Sequence, residues 1–287
     1  MSVTPLTQEV TPAEIAAAKA RMPLAFRAPL SQRLRRMALW GAFLALFGWC
    51  LYDFDFSPYR IFSGLERFGQ VLGFMFPPHI WTEWAEFSEI LNGLGETLSM
   101  AFLGSLLGAV VAFPLAFFGA KTINKMNWLR LGFRRGFDVI RSFETLILAL
   151  IFIRAFGLGP LSGVLAIAVA EIGVLAKLYS EAIENASNKP VEGVVASGGS
   201  GTQAIRFAIL PQVFPVLLSI TLYNFESNVR SGTILGIVGA GGIGFLLSDR
   251  IQAYMWDQAW SIIFLIIAMV YLIDWLSGLI RARFIGR

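Results

Sequence analysis

The sequence is poor in charge, cysteine, histidine and lysine. Only 15% of its 287 residues are charged, against about 25% in an average soluble domain. The one cysteine, Cys50, sits in an apolar run and excludes an intrachain disulfide. The one histidine, His79, in Pro77-Pro78-His79, has no companions at metal-ligand spacing and reads as a surface residue, so no metal site is expected. The lysines follow Ala18, Ala120, Asn124, Ala176 and Asn188. None completes the Gly-Lys-Ser/Thr run of a P-loop. No nucleophile–base arrangement can be assembled either, so no catalytic residue is expected.

Apolar sequence is what the chain has in abundance: 56% of residues are hydrophobic, with 25 Phe and 8 Trp. A soluble domain of this size could not hide so much apolar surface. The class is an all-α polytopic membrane protein. Helices of roughly 20 mostly apolar residues cross a bilayer core. Such stretches run from Met37 to Tyr52, Thr97 to Ala120, Ala155 to Ala176, Phe207 to Phe225 and Gln258 to Ile280. A weaker one, Phe137 to Phe156, carries Asp138, Arg141, Glu144 and Arg154.

Charge orients the six spans. Residues 1–36 hold Lys19, Arg21, Arg27, Arg33, Arg35 and Arg36, residues 121–136 hold five cations and no acid, and the tail 281–287 holds Arg281, Arg283 and Arg287. The connection 53–90 holds six acids and two arginines. Positive-rich segments stay cytoplasmic, so both termini are expected inside and 53–90 outside. The net charge of +4 is therefore topological and no nucleic-acid patch. Ser231–Ser248 could be a seventh span, but it contains six glycines, and a further crossing would place the Arg-rich tail outside. A broken or re-entrant element fits better.

The N-terminal segment is too long and polar for a cleaved signal. Thr11-Pro12-Ala13-Glu14 reads as a capping box opening an amphipathic helix. The 53–90 segment, with Trp81 and Trp84, is expected to include an interfacial helix. Gly104-Ser105-Leu106-Leu107-Gly108 is a small-xxx-small pattern, read as bundle packing.

Residues 181–211 have the strongest local logic. Asn188-Lys189-Pro190 starts a short helix, Gly198-Gly199 stops it, and Ser200-Gly201-Thr202-Gln203 forms a capping box for a second helix, perturbed by Pro211. Two capped helices joined by a Gly turn make a rigid knob.

Here the sequence resembles the permease subunits of binding-protein-dependent ABC importers. Their signature maps onto Glu192-Gly193-Val194, Gly198, Ala208 and Leu210-Pro211, with Gly193 and Val194 in place of two alanines and Ala208 in place of isoleucine. Pro190-Val191-Glu192-Gly193, Leu210-Pro211-Gln212-Val213, the run from Leu222 to Ser231, and Val238-Gly239-Ala240-Gly241-Gly242-Ile243-Gly244 look like the phosphonate importer permease. Gly157-Leu158-Gly159-Pro160 and Gly173-Val174-Leu175 agree with it. The likeness covers about residues 90–280; residues 1–89 match no specific motif.

It implies a type I permease with an N-terminal segment 1–36, a first transmembrane helix 37–52, a periplasmic segment 53–90 and a core 91–280 with coupling loop 181–211. It also implies a homodimer in a bacterial inner membrane, two ATPase subunits carrying ATP and Mg, and a periplasmic binding protein. No cofactor is implied in this chain. Glu192, Gly193, Gly198, Leu210 and Pro211 would face the ATPase.

Ionisable residues at membrane depth are functional candidates. Arg141 and Glu144, three apart, would share a helix face, and Glu226, Arg230 and Thr233 form a stripe beside Asn224, Asn228 and Ser231. They offer either a pathway for a phosphorus oxyanion, with Arg141 or Arg230 as bidentate donors, or ion pairs holding helices in register. Gly239, Gly241, Gly242 and Gly244 offer either a gate or close helix packing. Two other readings stay open: a permease for another small solute, and an ion-coupled carrier using Glu144, Glu171 and Glu226.

Overall fold

The computed structural model describes residues 12–21 and 30–285. The chain divides into two compact units, Met1–Gly73 and Phe74–Arg287.

The first unit holds α1 (Pro12–Arg21), α2 (Leu30–Asp53) and α3, which runs Pro58–Phe74 across the unit boundary. α1 opens on Pro12, whose missing N–H costs nothing at a first helical position; Thr11, the expected cap, lies outside the described residues. α2 starts at Leu30, earlier than Met37, because the arginine-bearing turn is as good a helix former as the apolar run that follows. Ser57 Oγ accepts from the Arg60 N–H at 3.2 Å and opens α3. α3 is the helix within the 53–90 segment; Trp81 and Trp84 lie beyond it, and Trp84 begins α4.

Helices are the regular secondary structure among the described residues of the second unit. α4 (Trp84–Gly119) extends well before the expected start at Thr97; its 36 residues make a rod of about 54 Å. α5 (Asn127–Ile140) and α6 (Thr145–Phe156) follow. The predicted single span 137–156 is thus two helices. The chain turns at Arg141–Glu144, where Arg141 caps the end of α5 and Glu144 precedes α6 in an extended conformation. Arg141 and Glu144 do not share a helix face, and among the described residues no ion pair joins them. Ser142, whose hydroxyl donates to the Val139 carbonyl at 2.6 Å, competes with the helical ladder there.

α7 (Pro160–Glu184) leads through α8 (Asn188–Ala196) and α9 (Gly201–Ala204) into a π-helical turn, Ile205–Ile209, and then α10 (Leu210–Leu235). A second π-helical turn, Gly236–Ala240, precedes α11 (Gly242–Gln252), and α12 (Trp256–Ile285) ends the described chain. Among the described residues five helical stretches are long and apolar enough to cross a membrane: Leu30–Asp53, Trp84–Gly119, Pro160–Glu184, Gly201–Ala240 and Trp256–Arg283. Thr145–Phe156 is apolar but shorter.

α4 and α7 make the largest helix–helix contact. Gly104 and Gly108 of α4 are buried against α7, as the small-residue pattern predicts, and Ala112 and Ala116 pack with Leu175 and Tyr179 further along. A side chain at Gly104 would place Cβ 2.6 Å from the Ile167 Cβ. Below this seam Ala112, Ala116, Phe137, Leu175, Tyr179 and Leu217 form one core; above it Met100, Ala166, Ile167, Leu235 and Ala240 form another. Polar ties hold α5 to α7: Lys177 Nζ lies 2.6 Å from Asp138 Oδ1, and Arg134 2.8 Å from Glu184. Arg134 Nε also donates to the last carbonyl of α4, Gly119, at 3.0 Å.

Replacing Gly104 by Leu should overpack the α4–α7 seam and cost about 1–3 kcal/mol. A thermal unfolding midpoint equal to that of the natural protein would show that the helices can separate freely.

Candidate functional site

α10 connects two unusual pieces of backbone about 40 Å apart, the length of its 26 residues at 1.5 Å each. At its start is the knob. α8 ends at Ala196, and Gly198 takes φ +87°, a conformation that favours glycine. The Gly199 N–H donates back to the Val194 carbonyl at 2.9 Å, closing the helix end. The predicted capping box forms: the Ser200 N–H donates to Gln203 Oε1 at 2.7 Å, and the Gln203 N–H to Ser200 Oγ at 3.4 Å. Glu192, Gly193 and Gly198 are exposed on this knob, as is Pro211 at its base.

Pro211 perturbs the backbone as its chemistry requires. It has no N–H for the helical ladder, and the turn before it widens, so that the Leu210 N–H reaches the Ile205 carbonyl. Gln212, whose role the spacing does not reveal, ties the knob to its base. Its Oε1 accepts from the Ser187 N–H at 3.1 Å, and its Nε2 donates to the Ala208 carbonyl at 2.7 Å.

At the far end of α10 the glycine segment breaks the helix, as expected of a broken element. Gly239, Gly241 and Gly242 have φ of +105°, +85° and +72°, which an L side chain rarely adopts. The chain reverses there, and α11 packs back so closely that a Cβ on Gly244 would run into the Thr233 carbonyl. Gly239 accepts from the Gly159 N–H at 3.1 Å.

Two side chains of α4 hold the turn. Glu96 Oε2 accepts from the Gly242 N–H at 2.9 Å, and Thr97 Oγ1 from the Ile243 N–H at 2.9 Å. They satisfy the first two donors of α11. Sequence reading does not find Glu96, because it lies 146 positions from its partner. Glu96 also lines a cavity of about 340 Å³ with Glu89, Asn92, Pro160 and Phe245.

The charged stripe of α10 meets α12. Glu226 lies 3.9 Å from Arg230 and closer, 3.3 Å, to Arg281, while Arg230 is also 4.0 Å from Asp274. Arg281 appears in the sequence as a tail cation and Asp274 as an interruption of the last span; the fold brings both to Glu226 and Arg230. The Arg230 side chain stays half-exposed. Asn224 turns its amide to its own helix, donating to the Ile220 carbonyl at 2.9 Å, and Ser231 is partly buried. Asn228 is buried inside the bundle and bonds to Ser105 and Glu171. Arg141 and Glu144 are exposed at the α5–α6 turn, away from this stripe in sequence and on another helix pair. His79, expected as a free surface residue, is partly buried, with Nδ1 3.5 Å from Asp257 Oδ2 and its carbonyl accepting from Ser261 at 2.7 Å.

Membrane-length helices, a capped knob and a glycine-broken helix on one continuous rod describe a multi-pass transport protein. The chain belongs to the family of binding-protein-dependent transport system inner membrane components, whose profile matches residues 104–286. It is 33% identical over 236 residues to a phosphite transport system permease protein of Stutzerimonas stutzeri, across 82% of this chain and 84% of that one. It is 34% identical over 260 residues to a phosphate-import permease protein of Mycolicibacterium smegmatis, across 90% of this chain and 48% of that longer relative. Among solved structures, an inward-facing methionine ABC transporter has a like fold, with a TM-score of 0.64 over 71% of this chain and 99% of that one at 21% identity.

Replacing Glu96 by Ala should loosen the glycine turn by about 1 kcal/mol, the usual worth of a helix N-cap. Hydrogen exchange at the Gly242 amide should then accelerate; unchanged exchange would remove Glu96 from this role.

Proposed function

We propose that this chain is the membrane-spanning subunit of an ATP-driven, binding-protein-dependent importer for phosphonate or a related phosphorus oxyanion such as phosphite, hypophosphite or phosphate. The observation that carries the reading is the capped knob joined without interruption, through α10, to the glycine turn. A rigid knob on a continuous rod can receive a push from another protein and deliver it elsewhere. The phosphorus chemistry comes from the phosphite and phosphate permeases that the chain is similar to.

In this reading α2, α4, α7, α10 and α12 cross a bacterial inner membrane, and the α5–α6 pair makes a sixth, broken crossing. The cation-rich N-terminal segment, the 121–136 connection and the tail lie on the cytoplasmic side. Two copies of the permease pair with two ATPase subunits, which bind ATP and Mg, and a periplasmic binding protein delivers the solute. Glu192, Gly193 and Gly198 enter the ATPase, Leu210 and Pro211 fix the angle at which the knob meets α10, and closure of the ATPase rocks α10. The turn at Gly239, Gly241, Gly242 and Gly244 opens and shuts the outer end.

The half-exposed Arg230, shared at 3.9 and 4.0 Å between Glu226 and Asp274, offers donors to a passing oxyanion without gripping it. Weak holding suits transit, because an anion bound tightly leaves slowly. Ser231 adjoins Arg230 in the chain, Asn224 lies earlier on the same helix, and Arg141 with Glu144 stand at the kink of the broken crossing.

The ion-coupled alternative would pass a cation or proton along Glu144, Glu171 and Glu226. Glu226 is engaged with Arg281, and Glu171 with Asn228. The knob would also have nothing to dock.

The test is reconstitution with the ATPase and binding protein: phosphite or a phosphonate should stimulate ATP hydrolysis and enter the vesicle. Robust uptake by this chain alone would refute the reading. Gly198→Val, which forces a branched side chain to a positive φ at a cost of about 1–2 kcal/mol, and Glu192→Ala should each lower binding-protein-stimulated hydrolysis several-fold while insertion into the membrane is unaffected. Stimulation equal to that of the natural chain in both variants would dismiss the knob as the docking element.

A further inference from the structure

Three polar side chains from three helices meet at the α4–α7 crossing. Asn228 of α10 donates from one amide nitrogen to Ser105 Oγ of α4 at 2.9 Å and to Glu171 Oε1 of α7 at 2.8 Å. All three are buried, with 3% of Ser105, 5% of Glu171 and 7% of Asn228 exposed. Gly108 makes room for them: any side chain there would strike the Glu171 Cβ. Between membrane helices, such groups are retained where they bind one another or serve function.

Among the described residues no cation pairs with Glu171. Lys177, on the same helix, holds Asp138 of α5, while Arg230 of α10 and Arg281 of α12 face Glu226. Its second oxygen, Oε2, is buried and reaches no donor among the described residues. What Glu171 offers is one acceptor oxygen, and the group that takes it is on α10. A passing oxyanion could not use this cluster, because it is enclosed by the bundle and presents a carboxyl group with no cation beside it.

Asn228 lies on α10 between the knob and the glycine turn, and Ser105 and Glu171 belong to the tightly crossed α4–α7 pair. A rigid α10 pushed at the knob and not pinned partway would tilt about its far end, where Glu96 and Thr97 of α4 hold the turn, and the displacement would not reach Gly239–Gly242. We propose that the Ser105–Asn228–Glu171 cluster is the pin that fixes α10 to α4 and α7, so that movement at the knob is delivered to the glycine turn. Glu171 is a positioning residue that acts through Asn228. The pin requires the acceptor oxygen of Glu171 and the length of its side chain, which Gln reproduces and Leu does not. This inference rests on the permease reading for its transport consequence, while the mechanical link can be read without transport.

The complete transporter, with ATPase and binding protein, is reconstituted with Glu171→Gln and with Glu171→Leu, and phosphite imported per ATP hydrolysed is measured beside basal hydrolysis. Glu171→Gln should keep the natural ratio. Glu171→Leu should lower it about tenfold, the order of a lost buried hydrogen bond, with basal hydrolysis within about twofold. Equal ratios for all three proteins, or equal loss in both variants, would overturn the pin. In parallel, spin labels at exposed Val195 on the knob and exposed Ile237 beyond α10 report their displacement on nucleotide binding. In Glu171→Leu the movement at 195 should persist and that at 237 should shrink; undiminished movement at 237 would overturn the proposal even if no phosphorus oxyanion is transported. Should the Leu variant fail to assemble, Ser105→Ala, which removes the other acceptor without a change of bulk at Gly108, is read by the same two measurements and decides by the same outcomes.

Discussion

The close approach of α4 and α7 at Gly104 and Gly108 is the constraint on which the second unit is built. In a bilayer, burying apolar side chains against other apolar side chains gains little over lipid, so helices associate through backbone proximity and polar contacts. The glycines bring the two backbones together, and the side chains further along the seam, Ala112 and Ala116, are small enough to preserve that distance. Once the seam is set, there is one place for Glu171, over Gly108, and from there it reaches Asn228. α5 is then fastened to α7 by ion pairs, and α10 is held by hydrogen bonds.

α10 has ends built for opposite demands. The knob at its start is stiff: both of its short helices are closed by specific backbone and side-chain bonds, and Gln212 clamps the base. The turn at its other end is made of residues with almost no side chain, held by Glu96 and Thr97 from α4. Stiffness suits a surface that receives a push. A glycine turn restrained by a few side-chain bonds suits a part that must change conformation, since few contacts have to be broken. The same α4 that anchors the seam at Gly104 supplies those restraints about two turns earlier, so the glycine turn and the seam share one scaffold.

How much could be read before the fold was known depended on how far apart the partners lie in the chain. The knob was legible because caps and Gly stops act within a turn: Ser200 reaches Gln203, and Gly199 reaches Val194. The break at Gly239–Gly242 was legible because glycine density is costly in any helix. The seam was legible from the spacing of Gly104 and Gly108. The region 137–156 was misjudged because average apolarity does not register a local competitor such as the Ser142 hydroxyl. As a result Arg141 and Glu144, neighbours on an ideal helix, stand instead on either side of a turn.

The sequence by itself determined that this protein lives in a membrane, where the apolar middles of its long helices lie, and which loop is rigid, because helix length, capping and glycine cost are short-range properties of the chain. Only the tertiary structure decided which polar groups face one another. Glu226 reaches Arg281 across 55 positions, Asn228 reaches Ser105 across 123, and Glu96 reaches Gly242 across 146. Side-chain periodicity places each of these residues on a face of its own helix. Which face meets which is fixed by how closely small residues let the helices approach, and that is a property of the packed bundle.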